Sequence, residues 1–246
     1  MGMQVHNEIK MNHEFACITF DLDDTLWPIS PTIQNAEAAL YTWLGMHYPR
    51  VTSKYSLQDL AKKREQLKQQ RKDIAHDVTA LRLQSLLEVA MEFGCSEKLA
   101  RDGLEYFRTH RNRVTPYKEA EPTLARLSKH FTLGAITNGN AQLEFTELAR
   151  YFDFCVTPTE VGECKPHPDI FTYAARLAGV QVSKILHVGD CAKGDVVGAA
   201  NAGFTSVWLN ANRKPWPGGQ NPYAVIHSIS ELLDVLGMSE KTNDTT

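Results

Sequence analysis

Phe15-Ala16-Cys17-Ile18-Thr19-Phe20 runs directly into Asp21-Leu22-Asp23-Asp24-Thr25. The first part is apolar or β-branched throughout, with an aromatic residue at each end. A continuous apolar run without polar alternation is the pattern of a strand buried on both faces, as in a parallel sheet. It stops abruptly at acids. In open parallel sheets, ligands bind at the carboxyl ends of the strands. Asp21 and Asp23 are therefore predicted to stand at a working edge.

Downstream of this strand the pattern changes twice. From about residue 30 to 113 no strand-like run is evident and helical spacing takes over. Val78, Leu81, Leu86, Val89, Ala90 and Phe93 recur near every third and fourth residue, and Gly94 follows as a helix-ending residue. After Val114-Thr115-Pro116, strands and helices alternate. Helices are predicted near 119–130, 141–150, from Pro168, near 194–202 and over 229–236. Strand runs fall at 131–137, 152–156, 185–188 and 205–209. Alternation of this kind implies a parallel sheet covered by helices on both faces. The helical block is then an insertion after the first strand. Residues 1–14 and 239–246 are polar and are expected to be loose.

The chain has 246 residues, 43% hydrophobic and 22% charged, which suits one large globular domain or two smaller ones. Its formal charge of −3 argues against a general nucleic-acid or membrane-surface binder. No apolar run is long enough to span a bilayer, and the polar start shows no secretory signal. Five widely spaced cysteines, with no C-x-x-C pair, argue against structural zinc and disulfides and for a reducing cytoplasm. A basic cluster stands out between Arg50 and Lys72, with eight basic residues against Asp59 and Glu65. It is expected to be a solvated helix face, with a field for an anionic substrate as the sharper alternative.

The other predicted strand ends carry chemistry too. The second ends in Thr137-Asn138-Gly139-Asn140, and the fourth in Gly189-Asp190 with Asp195 beyond. Lys165-Pro166 follows the short third run. Clustered carboxylates repel one another unless a cation sits among them, and hard oxygen ligands favour Mg²⁺. Lysine and hydroxyl donors suit a dianionic phosphoryl group. These residue types together point to Mg²⁺-assisted phosphoryl transfer.

In this order and spacing the segments resemble the four motifs of the haloacid dehalogenase (HAD) superfamily. Asp21-Leu22-Asp23-Asp24-Thr25 matches its D-x-D-x-T signature. Thr137-Asn138-Gly139 is similar to the second motif and Lys165-Pro166 to the third. Gly189-Asp190, Asp195 and the small residues from Gly198 to Gly203 resemble the fourth. The resemblance implies a Rossmann-like α/β core over residues 1–28 and 115–246, with an all-helical cap inserted at 29–114. Its hinges would lie near Trp27-Pro28 and Val114-Thr115-Pro116. It also implies that Asp21 attacks phosphorus and that Asp23 serves as acid and base. Mg²⁺ is expected on Asp21, the Asp23 backbone carbonyl and Asp190. Thr137, the Asn138 backbone amide and Lys165 would bind phosphoryl oxygens, with Gly139 allowing close approach. Asp195 and Thr25 are expected to support these residues from behind. Cys191 departs from the family, which more often has Ser, Asp or Asn there, and reads as a tolerated small residue.

The cap stretch Asp73-Ile74-Ala75-His76-Asp77-Val78-Thr79-Ala80-Leu81-Arg82 resembles bacterial HAD phosphatases of the flavin pathway. That likeness implies FMN or 5-amino-6-(5-phospho-D-ribitylamino)uracil as substrate, with His76 and Arg82 as candidate contacts. His76-Asp77 also matches the pair that names the metal-dependent HD phosphohydrolases, but one pair is not their full ligand set. Sugar phosphates and nucleotides are the alternative substrates, and a phosphomutase would carry Asp23 as well. A haloacid dehalogenase would share the nucleophile but needs neither Mg²⁺ nor Asp23. A non-catalytic binding module should have lost one of Asp21, Asp23, Lys165 or Asp190, and all four stand. A monomer or weak dimer acting on a small phosphomonoester, without nucleic acid or membrane, completes the expectation.

Overall fold

The computed structural model describes residues 14–238. The loose segment expected at 239–246 lies outside them, as does nearly all of that expected at 1–14. Six strands form one parallel sheet in the order β3-β2-β1-β4-β5-β6. They are β1 (Cys17–Phe20), β2 (Thr132–Ile136), β3 (Phe154–Val156), β4 (Ile185–Gly189), β5 (Thr205–Leu209) and β6 (Ala224–Ile226). This is an α/β, Rossmann-like sheet. β1 is central and buried along its whole length, as its uninterrupted apolar run predicts. Cys17 joins a core with Ile136, Phe171 and Ile185, while Ile18 and Phe20 join a second core with Leu124, Leu133 and Leu186. Alternate residues of one strand thus seed the two faces, as the period of a strand requires.

Five helices follow β1 before Val114-Thr115-Pro116: α1 (Ile29–His47), α2 (Pro49–Lys54), α3 (Leu57–Gln70), α4 (Val78–Glu92) and α5 (Lys98–Arg111). They share a third core around Leu40, Leu44, Leu86, Val89, Leu99 and Phe107. Local chemistry sets their ends. Ser56 and Asp59 form a reciprocal capping box at the start of α3. Asp77 caps α4, its Oδ1 accepting from the Thr79 and Ala80 amides at 2.8 and 2.9 Å. Gly94 ends α4 at φ +66°, with Cys95 N–H bonded to the Ala90 carbonyl and Gly94 N–H to that of Met91. This is the left-handed helix stop that Gly94 predicts.

Past the insertion, α6 (Ala120–Leu127), α7 (Pro158–Val161), α8 (Pro168–Ala178), α9 (Gly198–Asn201) and α10 (Leu232–Val235) complete the fold. Three expectations are corrected here. The helix expected near 141–150 is two tight 3₁₀ turns, Leu143–Phe145 and Glu147–Tyr151, broken by extended Thr146. Leu143 and Leu148, five residues apart, both reach the core, and one α-helix would not place both on one face. The helix near 194–202 begins as a wide π turn over Ala192–Val197, and the final helix begins as a 3₁₀ turn at Ile229–Glu231. The edge strand β6 has only three residues and no sequence signal of its own.

The sheet order places the site. From β1 the chain moves outward to β2 and β3, then crosses back to β4 on the other side. The order reverses beside β1, and a crevice opens there at the carboxyl ends. Asp21 is the first residue past β1, with its N–H bonded to the Val188 carbonyl of β4 at 2.9 Å.

Candidate active site

Asp21, Asp23, Thr137, Asn138, Gly139, Lys165 and Asp195 line one cavity of about 630 Å³ beneath the inserted helices. Asp190 stands beside it: oxygens of Asp21, Asp190 and Asp195 all lie within 4.8 Å of one another. The four predicted motifs therefore converge.

Lys165 is the hub. Its side chain is almost wholly buried, and its Nζ donates to Asp21 Oδ1 and the Ile136 carbonyl, each at 2.6 Å. The same ammonium lies 2.6 Å from Asp195 Oδ1. Burial alone would push a lysine towards neutrality; Asp195 and Asp21 outweigh it and hold Lys165 above its ordinary value. Asn138 holds the backbone of this loop, accepting from Lys165 N–H at 2.8 Å and donating to its carbonyl at 2.9 Å. The carboxylates divide unevenly. Burial, with Asp195 and Asp190 adding to it and Lys165 opposing, pushes Asp21 up to about 8. Burial, with Asp195 and Asp24, pushes Asp190 up to about 6. Asp195 is held low: burial works against ionisation, but Lys165 and His187 prevail.

Asp195 is fully engaged behind the site. Its Oδ1 also faces His187 Nε2 at 3.3 Å, and its Oδ2 accepts from Cys191 N–H at 2.9 Å. The carboxylate requires the proton on Nε2, so Nδ1 of buried, neutral His187 accepts from Thr19 Oγ1 at 2.9 Å. Gly189 makes room for this packing, because a Cβ there would meet the Asp195 carboxyl at 2.2 Å. Thr137 Oγ1 accepts from Gly139 N–H at 2.9 Å, which aims its own proton elsewhere. Thr25 Oγ1 is buried without a hydrogen-bond partner among the described residues.

The cap residues fall differently. Arg82 lines the cavity, but its guanidinium is paired with Glu37 at 2.8 Å and lies 3.4 Å over the Phe107 ring. His76 lines a neighbouring cavity of about 300 Å³ with Asn138, Gly139 and Asn140, apart from Asp21. Asp77 is a helix cap rather than half of a metal-binding pair. In the basic cluster, Lys54 and Lys63 pair with Glu92 and Arg71 with Asp73, while Arg64 and Lys68 line the cavity. Cys191 lines the cavity too, its thiol accepting from Gly194 N–H at 3.3 Å.

Two residues at the site escaped the sequence reading. Arg111 donates to both oxygens of Asp23, at 2.7 and 2.6 Å, and Trp27 Nε1 donates to Asp23 Oδ1 at 2.8 Å. Trp27 was expected only as a hinge. Arg111 is one of several arginines near a helix end, and only its nearness to Val114-Thr115-Pro116 hinted at a role.

Residues 15–203 match the family model of haloacid dehalogenase-like hydrolases. The chain belongs to that family and is an enzyme of its hydrolase type. It is 31% identical over 229 residues to the Escherichia coli (strain K12) protein 5-amino-6-(5-phospho-D-ribitylamino)uracil phosphatase YigB, covering 90% of this chain and 96% of the relative. Pyrimidine 5'-nucleotidase YjjG of the same organism is 39% identical over 128 residues, about half of each chain. Such relatives put the chain among the family's phosphatases. Among solved structures, a 2-haloacid dehalogenase from Pseudomonas syringae pv. Tomato DC3000 superposes with a TM-score of 0.85 at 38% identity, covering 90% of this chain and 98% of the other. A HAD phosphatase from Thermococcus onnurineus gives 0.67 at 26% identity, covering 92% and 99%. No helix among the described residues is long and apolar enough to cross a membrane.

Proposed function

We propose that this phosphatase is Mg²⁺-dependent, works through an aspartyl-phosphate, and acts on FMN or 5-amino-6-(5-phospho-D-ribitylamino)uracil. The observation that carries the chemistry is the pairing at the cavity floor. Asp21 has one oxygen tied to Lys165, and a second carboxyl, Asp23, stands two residues on with both oxygens clasped. Asp21 attacks phosphorus through its other oxygen, Oδ2, and the bond to the leaving oxygen breaks. Asp23 gives that oxygen a proton, then takes one from the water that cleaves the aspartyl-phosphate. The Thr137 hydroxyl binds a phosphoryl oxygen, and Lys165 binds another once one of its three protons turns from its present partners to the phosphoryl group, where fixed donors in a secluded site act most strongly. Residues 29–114 form the cap that excludes water and admits substrate.

The acidic group suits the proposed metal. Asp21 and Asp190 offer hard oxygen ligands within 4.8 Å, and the Asp23 backbone carbonyl completes the expected set. Asp195 stays behind them, because its oxygens already serve Lys165, His187 and Cys191. A bound Mg²⁺ offsets the charge of the carboxylates and of the phosphoryl oxygens.

Two observations support the substrate class. Ile29, Ile33, Val78 and Leu81 line the cavity, which suits a ring-bearing leaving group. The E. coli relative named for the ribitylamino-uracil phosphate aligns with nearly the whole chain. The P. syringae neighbour favours a second reading, haloacid dehalogenation. A halide is a weak base and leaves without a proton, so that reaction offers no task for Asp23 and its clasp.

The deciding experiment is phosphate release with Mg²⁺ from FMN, the ribitylamino-uracil phosphate, nucleotides and sugar phosphates, with a 2-haloacid as control. The two flavin-pathway compounds are expected to lead in kcat/KM. Asp21→Asn should abolish release, and EDTA should remove it until Mg²⁺ is restored. Preference for sugar phosphates overturns the substrate class; release that survives EDTA overturns the metal; halide release overturns the reaction.

A further inference from the structure

Arg111, the last residue of α5, is fully buried. A guanidinium at that depth is held by its partners, and removing one exposes the cost of burying the other. Its Nη2 spans both oxygens of Asp23, and its Nε donates to Asn140 Oδ1 at 3.2 Å. The next residue, Asn112, exchanges two hydrogen bonds of 3.0 Å with Gln142. The end of α5 is thereby tied to the loop after β2, and Arg111 is locked before it touches Asp23.

The donors around Asp23 leave a specific gap. A carboxylate offers about four lone-pair sites. Among the described residues, Arg111 and Trp27 both donate to Oδ1, and Arg111 alone donates to Oδ2. One site on Oδ2 stays open. It faces Gly139, where a Cβ would come within 2.3 Å of that same oxygen. The missing side chain keeps the open lone pair reachable from the phosphate-binding loop.

We propose that Arg111 is a positioning residue for the proton transfer, holding the Asp23 carboxyl so that Oδ2 carries the proton. This rests on the phosphatase reading of the site given above. As Asp21 Oδ2 bonds to phosphorus and the leaving oxygen departs, the Asp23 Oδ2 proton passes to that oxygen. When water bonds to phosphorus and releases Asp21, one of its protons returns to Asp23 Oδ2. The products are an alcohol and inorganic phosphate, and the enzyme is restored. Arg111 donates hydrogen bonds throughout and transfers nothing.

The leaving group provides the test. p-Nitrophenolate leaves readily without a proton, whereas an alkoxide does not, so a fault in acid positioning shows on alkyl phosphates. Arg111→Lys keeps the charge but loses the Nε bond to Asn140 that orients the guanidinium; Arg111→Gln removes the charge. For both variants, kcat on the best alkyl phosphate is expected to fall about 100-fold or more, in the range of a lost general acid. The single-turnover release of p-nitrophenolate, which is over before the water step that Asp23 also serves, should slow several-fold at most. Adding Asp23→Asn to Arg111→Gln should cost nothing further on the alkyl substrate. Equal losses on both substrates, or no loss on either, overturn the proposal. If the Arg111 variants do not fold, Trp27→Phe removes another donor to the same carboxyl; the same split upholds the positioning and its absence overturns it. Wild-type enzyme that releases phosphate from neither substrate overturns the underlying phosphatase reading instead.

Discussion

Asn138 reaches Lys165 only through the backbone, yet it decides where the lysine stands. Its amide both accepts from and donates to the main chain of Lys165. Asn138→Ala removes two hydrogen bonds worth about 1 kcal/mol each and leaves the Asn138 backbone amide in place. A loss of about 1–3 kcal/mol in stability is expected by denaturant titration. Because the Lys165 ammonium shifts with its loop, kcat should drop as well. Unchanged stability and kcat would show that the loop is held by other contacts. Asn112 acts in a similar manner at the end of α5, its side chain accepting from the Gln142 backbone N–H and donating to the Gln142 side-chain oxygen.

Among the elements, α4 shows how a short polar signal places a wall of the cavity. Asp77 caps its first turn, and Val78, Leu81 and Arg82 then face the site from successive turns. Asp77→Ala removes two bonds from one carboxylate oxygen and should cost about 1 kcal/mol, the usual worth of such a cap. The fraying would begin at Val78 and Thr79. A lower melting temperature with raised KM and nearly unchanged kcat is expected, because the catalytic carboxyls lie on other elements. A variant that loses metal affinity with no change in melting temperature would instead revive a ligand role for Asp77. The π turn at Ala192–Val197 does comparable work. Its wide loop returns Asp195 to the amide of Cys191 and to Lys165.

At the scale of the whole molecule, one carboxylate joins three helices of the inserted block. Glu37 on α1 accepts from Arg64 of α3 at 2.6 Å and from Arg82 of α4 at 2.8 Å. Burial pushes its carboxyl up, but the two arginines prevail and hold it below the ordinary 4.5. The sign follows from proton uptake. Above pH 4.5 Glu37 is ionised in both folded and unfolded chains, and its contribution to stability is complete. As pH falls below 4.5 the unfolded chain binds the proton first, and the contribution is lost through the folded value. Glu37→Gln mimics the protonated form at every pH. Wild type should therefore be more stable than the variant near neutrality, and the gap should close in acid below pH 4.5. A gap that stays constant through that range would show that the charge of Glu37 does not hold the helices together.

The parallel sheet, the helices that follow β1 and the four motifs at strand ends were all legible in the sequence. These are local properties: strand burial shows as an unbroken apolar run, and each chemical group lies a few residues from the strand that carries it. Gly94 and the acid pair Asp21 and Asp23 were legible for that reason. The partners of distant charges emerge only once the chain is folded. Arg111 meets Asp23 across 88 residues, and Arg82 meets Glu37 across 45. No periodicity records such pairs, because they depend on how helices cross once their apolar faces are buried. The same packing turned Arg82 towards Glu37, set His76 in a separate cavity, and split the helix expected at 141–150 into two turns so that Leu143 and Leu148 could both reach the core.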